Sequence, residues 1–393
     1  MNLFVFLSVS LVVRILKLNK LPDCPLPILI QPTMNSKDSP SVIEHAQLSL
    51  QMTPHSTNFV PRTATFVATG ISTGGKGAMS ILSLSNGEVK TTFESSSVRP
   101  HGIKCSTMGA SSVANKHLAV GDFGGYLTIL QIDRAGQEVY SAEAGGQIIN
   151  AIDGVGGTGR QYGAPEIVTA GKDGLVRVFD PRVSDAVATL SPAEESTSRD
   201  CWTVAFGDSY NDQERCVCAG YDNGDVRLFD LKMGGKIRWE TNCSNGITSI
   251  QFDRPDIEMN KIVVTTLESK FHVYDMRTHH PLEGFNHLTE KAHRSTVWLA
   301  KHLPQNRDIF ATCGGNGGLN IYKYHNPISR TGKHAKDGAP IGVMGNVELL
   351  NSRIISTQPI VSFDWSPDKD GLAVMAALDQ TVRVQLITKL DKY

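Results

Sequence analysis

Short apolar runs alternate with polar turns along most of this chain, and one combination keeps returning. An apolar strand is followed by a tight turn of Gly, Asp and Asn, then by a strand whose apolar residues fall at every second position. It reads Gly121-Asp122-Phe123-Gly124-Gly125-Tyr126-Leu127-Thr128-Ile129-Leu130, and returns as Gly171-Lys172-Asp173-Gly174-Leu175-Val176-Arg177-Val178-Phe179-Asp180. The clearest copy is Tyr221-Asp222-Asn223-Gly224-Asp225-Val226-Arg227-Leu228-Phe229-Asp230. A period of two half-buries a strand, and Asp-Gly or Asn-Gly supplies the positive φ that a tight hairpin needs. Weaker copies occupy residues 267–275, 314–322 and 378–386, with a degenerate first copy at 74–82. Taking the last turn position as marker gives Gly77, Gly125, Gly174, Gly224, Ser269, Gly317 and Gln380, at intervals of 48, 49, 50, 45, 48 and 63 residues. Further apolar runs precede the markers at 103–108, 148–152, 202–206, 247–252, 297–302 and 360–365.

Seven copies at this period predict an all-β, seven-bladed β-propeller with four strands per blade, the upstream runs lining a central channel. One blade alone leaves an apolar face uncovered, so the blades must stack around a ring. The pattern ends on the third strand of the last blade. Residues 41–48 are therefore expected to supply its outer strand and close the ring. The long last interval predicts an extended loop over 325–356. The propeller is assigned to residues 41–393, and residues 1–40 to an N-terminal extension. The apolar run at 3–13 is too short to span a bilayer as a helix and lacks a basic leader, so 1–33 reads as an upstream extension and no membrane partner is expected.

A formal net charge of −1, with 20% charged residues, argues against nucleic acid or an anionic membrane as partner. The seven cysteines, Cys24, Cys105, Cys201, Cys216, Cys218, Cys243 and Cys313, are odd in number and irregular in spacing, which suits buried reduced thiols in a cytosolic protein. Neither cofactor nor metal is expected. Gly154 to Gly159 fits G-x-G-x-x-G, but a loop and a strand follow where a dinucleotide site needs a helix. Residues 70–76 nearly form a phosphate loop, yet Gly77 stands where Ser or Thr would hold magnesium. His279, His280, His287 and His293 lack metal-site spacing, and His293 is expected to orient a turn Asp. With no nucleophile elbow and no paired carboxylates in a catalytic setting, the chain reads as non-catalytic.

In a propeller the turn between the second and third strands shares a face with the start of the inner strand. That face is predicted to carry Phe123, Lys172, Arg199, Asp200, Trp202, Tyr221, Ser295 and Trp298, aromatic and arginine residues being the usual anchors of protein interfaces. For Trp202 and Trp298, packing between blades is the competing reading.

Phe179-Asp180, Phe229-Asp230 and Tyr274-Asp275 stand where WD repeats carry Trp-Asp. Longer strings are more specific: Arg199-Asp200-Cys201-Trp202-Thr203-Val204-Ala205-Phe206-Gly207, Asn150-Ala151-Ile152-Asp153-Gly154, His302-Leu303-Pro304-Gln305-Asn306-Arg307, Ser356-Thr357-Gln358-Pro359-Ile360, and the runs 271–278 and 291–298. Across 41–393 they resemble the Monad family of WD-repeat axonemal dynein assembly factors. The resemblance implies a monomeric propeller acting within a complex. Its partners would be a prefoldin-like co-chaperone with RuvB-like ATPases, heat-shock chaperones and axonemal dynein chains, met in the cytoplasm before transport into cilia. A link to apoptosis is a secondary implication. The chain departs from the pattern in a diverged first blade, in residues 1–33, and in Gly145-Gly146, which replaces Gly-His and should alter that blade's buried hydrogen bonds. Because fold does not assign function, the competing reading is a substrate-recognition subunit of a ubiquitin ligase or another regulatory complex.

Overall fold

The computed structural model describes residues 39–156, 166–192, 199–210 and 214–393. Residues 1–38, and with them the apolar run at 3–13, lie outside the described residues, as does the second half of the Gly154 to Gly159 motif.

Seven four-stranded antiparallel sheets follow one another along the chain. Blade 1 is Met52–Phe59, Thr65–Ser72, Gly77–Ser85 and Glu88–Arg99; blade 2 is Ile103–Thr107, His117–Asp122, Tyr126–Gln131 and Gln137–Glu143. Blade 3 is Ile149–Gly154, Ile167–Gly171, Val176–Phe179 and Ala186–Leu190; blade 4 is Cys201–Gly207, Cys216–Tyr221, Asp225–Asp230 and Lys236–Asn242. Blade 5 is Ile247–Phe252, Lys261–Thr266, Lys270–His280 and Gly284–Lys291; blade 6 is Val297–Leu303, Asn306–Gly314, Gly318–His325 and Asn346–Ile354. Blade 7 takes Ile360–Trp365, Leu372–Ala377 and Thr381–Thr388, and its fourth strand is Ser41–Ser49. The expected seven-bladed propeller and its closing strand are both present, with Ser41 opposite Thr388 and Ser49 opposite Thr381.

The core sits in the seams between blades. Blade 4 meets blade 5 through Cys218, Leu228, Ile250, Phe252 and Ile262, and blade 7 meets blade 1 through Val374, Val384, Phe66 and Leu82. Between blades 5 and 6, Phe271 stacks edge-on against Phe310 and Tyr322, with centroids 5.4 and 5.1 Å away. No blade buries its apolar faces by itself, so adjacency is what makes the alternating pattern favourable.

Two sequence expectations need correction. The first turn marker is Gly75 rather than Gly77: Gly75 has φ +76° and its N–H bonds Ser72 O, while Gly77 already begins the third strand. The glycine-rich stretch offers several residues able to turn, and pattern alone does not choose among them. The extended loop at 325–356 is in fact a small hairpin, Thr331–Lys333 with Pro340–Gly342, followed by the outer strand Asn346–Ile354 of blade 6. The hairpin belongs to blade 6 in sequence but lies on blade 5, where Asn286 Nδ2 donates to Gly342 O at 2.7 Å and Arg330 to Asn260 Oδ1 at 2.7 Å.

Candidate protein-binding face

On one face of the ring, the second-to-third-strand turns of blades 2 to 7 are tied by their backbones to the starts of their own inner strands. Phe123 N donates to Gly102 O, Lys172 N to Ile148 O, Asp222 N to Asp200 O and Gly315 N to Thr296 O. A turn carboxylate or amide then caps the next strand: Asp122 Oδ1 accepts from Gly124 and Tyr126 N–H, Asp173 Oδ1 from Leu175 N–H, and Asp379 Oδ1 from Thr381 N–H. In blades 3 and 7 an arginine four residues on clamps that aspartate, Arg177 to Asp173 at 2.6 Å and Arg383 to Asp379 at 2.7 Å. Here the altered network of blade 3 becomes visible. A methyl group at Gly145 would lie 2.7 Å from Arg177 Nη2 and from Asp173 Oδ2, and Arg177 also donates to Ala144 O.

The inner strands carry a feature that the sequence analysis missed. In all seven a register shift falls at the same level, leaving one residue out of the ladder: His55, Lys104, Asn150, Trp202, Thr248, Trp298 and Val361. An extra residue of this kind re-aims its side chain, and the seven form a half-buried tier at the mouth of the channel. Several reach across to the next blade. Asn150 Nδ2 donates to Cys201 O at 2.9 Å and Thr248 Oγ1 to Val297 O, His55 packs on Phe123 with ring centroids 5.8 Å apart, and a methyl at Gly246 would lie 2.8 Å from the Trp202 ring.

The tier sorts the predicted residues. Lys172 and Arg199 are exposed; Phe123, Asp200 and Trp202 are half-buried beside them. Burial and then the charge of Asp222 push the Asp200 carboxyl above the usual carboxylate range, with Lys172 and the Trp202 indole pulling against them. Tyr221 is not on the face: only 1% exposed, it lies in the core between blades 3 and 4 with Arg227 5.5 Å above its ring. It ends the second strand, one residue too early to reach the turn surface. Ser295 is committed internally, accepting from Asn316 N–H at 2.9 Å. The Trp298 Nε1 is buried beside Gly315, with no partner among the described residues. His293 also departs from expectation. Its Nε2 bonds Thr312 Oγ1 at 2.8 Å, and the turn residue of that blade is Asn316, so there is no Asp to orient. Burial drops the His293 pKa to about 4.

One group of side chains has metal-ligating atoms close together, His280 with His334 and Asp337 at the hairpin. His280 Nδ1 accepts from Leu282 and Glu283 N–H at 3.2 and 3.0 Å, which places the ring proton on Nε2, donating to Asp337 at 3.1 Å. A metal on Nε2 would drive that proton onto Nδ1, against two N–H donors. The group fits a hydrogen-bonded clasp for the hairpin and does not fit a cation site. The near-phosphate loop at 70–76 is the hairpin turn of blade 1, with no helix after it. Among the described residues, no helix is long and apolar enough to cross a membrane.

Comparison with known proteins decides the family. The chain is 52% identical over 356 residues to dynein axonemal assembly factor 10 of Xenopus laevis, an alignment covering 90% of this chain and 98% of the relative. It is 51% identical over 360 residues to the Homo sapiens protein of that name, and 49% identical over 361 residues to that of Chlamydomonas reinhardtii, each covering 91% of this chain and all of the relative. The chain belongs to the dynein axonemal assembly factor 10 family. No protein-family model matches it. Membership at this level agrees with the resemblance to axonemal dynein assembly factors carried by the strings around Trp202 and Ile360.

Proposed function

We propose that this chain is a non-catalytic platform of the Monad type, which holds other proteins together while axonemal dynein is assembled in the cytoplasm. The observation that carries the reading is identity near one-half, over nearly the full length of relatives named dynein axonemal assembly factor 10. The working surface is the face bearing Phe123, Lys172, Arg199, Asp200 and Trp202. It combines exposed cations with a half-buried indole, the mixture on which interface energy concentrates. Ser295 and Trp298 support the neighbouring sector from within. The partners are axonemal dynein chains, a prefoldin-like co-chaperone with its RuvB-like ATPases, and heat-shock chaperones. The thiols of Cys201, Cys216, Cys218 and Cys313 are buried, and burial pushes each far above the range of a nucleophilic cysteine, in keeping with a role without covalent chemistry.

The test is affinity purification of the tagged full chain from ciliated cells, beside a variant carrying Arg199→Ala and Trp202→Ala whose fold is confirmed by circular dichroism. Dynein chains, RuvB-like ATPases and prefoldin-like subunits should accompany the native chain and be depleted from the variant. Recovery of cullin or other ubiquitin-ligase subunits in their place would overturn the proposal in favour of a substrate-recognition role.

A further inference from the structure

At the channel mouth the bulged tier is filled differently around the ring. Trp202, Trp298 and Val361 make one side largely apolar, with Thr248 between the two tryptophans, while His55, Lys104 and Asn150 make the other polar. In blades 3 and 5 the tier residue bonds a fixed acceptor, the carbonyl just before the next blade's own tier residue: Asn150 to Cys201 O and Thr248 to Val297 O. For Lys104 the equivalent acceptor is Ile149 O, which the Lys104 ammonium does not reach and which the Cys105 thiol approaches at 3.7 Å. Lys104 makes no hydrogen bond or ion pair among the described residues.

Among the described residues, no carboxylate forms an ion pair with the Lys104 ammonium. Burial lowers its pKa. His55 beside it is held neutral, first by burial and then by the Lys104 charge. Lys301 makes the contrast: three positions beyond its own blade's bulge, it acts on both Asp153 and Asp364. Those two carboxylates are in turn fixed by Phe206 N–H at 2.9 Å and Phe59 N–H at 2.8 Å. The deeper cation is thus balanced inside the fold, and the one at the mouth is not. A half-buried cation without a partner costs stability, and Lys104 returns no bond that would justify it in the isolated ring.

We infer that Lys104 is the receptor for a carboxylate of a protein partner, an acidic side chain or a chain terminus inserted at the channel mouth between the polar and the tryptophan-lined sides. A single ammonium beside a neutral imidazole matches a monoanion, whereas a phosphate dianion is typically met by several charged donors or by arginine forks. Exposed Lys172 and Arg199 on the same face add to the attraction for an acidic segment. This inference rests on the face proposed above and names the chemistry that it recognises.

The test uses the full chain and a fluorescein-labelled peptide of alternating Glu and Leu, with a matched Gln-Leu peptide, read by anisotropy at low salt. The Glu peptide should bind, and Lys104→Met should weaken it about tenfold while Lys104→Arg retains it. The Gln peptide should bind the native chain as poorly as the Glu peptide binds Lys104→Met, and millimolar inorganic phosphate should not compete. Thermal melts of both variants check folding. Absence of Glu-peptide binding, equal binding of the two peptides, indifference to Lys104→Met, or displacement by phosphate would each overturn the inference. In the co-purification experiment, loss of partners from the Arg199/Trp202 variant together with full retention by Lys104→Met would leave the face standing and remove only the carboxylate receptor. If neither variant lost partners, both ideas would fall.

Discussion

Asp364 sits inside the channel on the inner strand of blade 7, where burial raises its pKa to about 6 against the pull of Lys301. Its folded pKa lies above the unfolded value near 3.8. The contribution it makes is therefore complete below about pH 4 and is lost as pH rises through about 6. Asp364→Asn keeps an acceptor for Phe59 N–H and removes the buried charge. It is expected to stabilise the fold by roughly 1–3 kcal/mol at pH 8 and to be near neutral at pH 4, as read by urea denaturation at the two values. The buried histidines act in the opposite sense. Burial takes His302 to about 3 and His272 to about 4. Stability from such neutral rings is present above pH 6.5 and falls away as pH drops towards those values. His302 packs on Phe310 and its Nδ1 has no partner. His302→Phe should therefore reduce the slope of stability against pH, between 6.5 and 4.5, by about one proton, near 1.4 kcal/mol per pH unit.

Strands and turns bring their own expectations. Gly174 closes the turn of blade 3 at φ +80°, and an added methyl would meet Arg199 O at 2.4 Å. Gly174→Ala combines left-handed strain with a backbone clash, and a loss of roughly 2–4 kcal/mol is expected in a denaturant titration. Because the clash falls on Arg199, partner capture should weaken even where the fold survives. Most of this level was legible in the chain. Six of the seven turn markers, Gly125, Gly174, Gly224, Ser269, Gly317 and Gln380, have positive φ as their place in the repeat requires. The exception, Gly77, fell among several glycines. The bulges were not legible. They add one residue at the start of each inner strand, which shifts the alternation without altering composition, so Lys104 and Asn150 looked like ordinary strand positions. Tyr221 was misplaced for a related reason: one step along a strand separates a surface aromatic from a core one. The face residues Lys172, Arg199 and Trp202 could be found because they flank turns whose positions the repeat fixes.

At the scale of the whole ring, stability depends on closure between distant parts of the chain. Val42, 4% exposed, lies opposite Ile387 in the closing blade. Val42→Asp would place an unpaired charge there and is expected to lower the melting temperature by several degrees or more, about 3 kcal/mol or above. Among the described residues, Ser39 and Pro40 accept hydrogen bonds from Lys389 and Asn351 and tie the entry of the closing strand to blades 7 and 6. The same closure sets a schedule for synthesis. Glu44 meets Gln385 across 341 residues, and ribosomes add roughly 5–20 residues each second. For roughly twenty seconds to a minute the first strand of a nascent chain has no mate, while the blades behind it emerge and pack as an open arc. A newborn assembly factor thus spends its first moments exposing a free strand edge, and has to be kept from pairing with a neighbour until its own last strand is made.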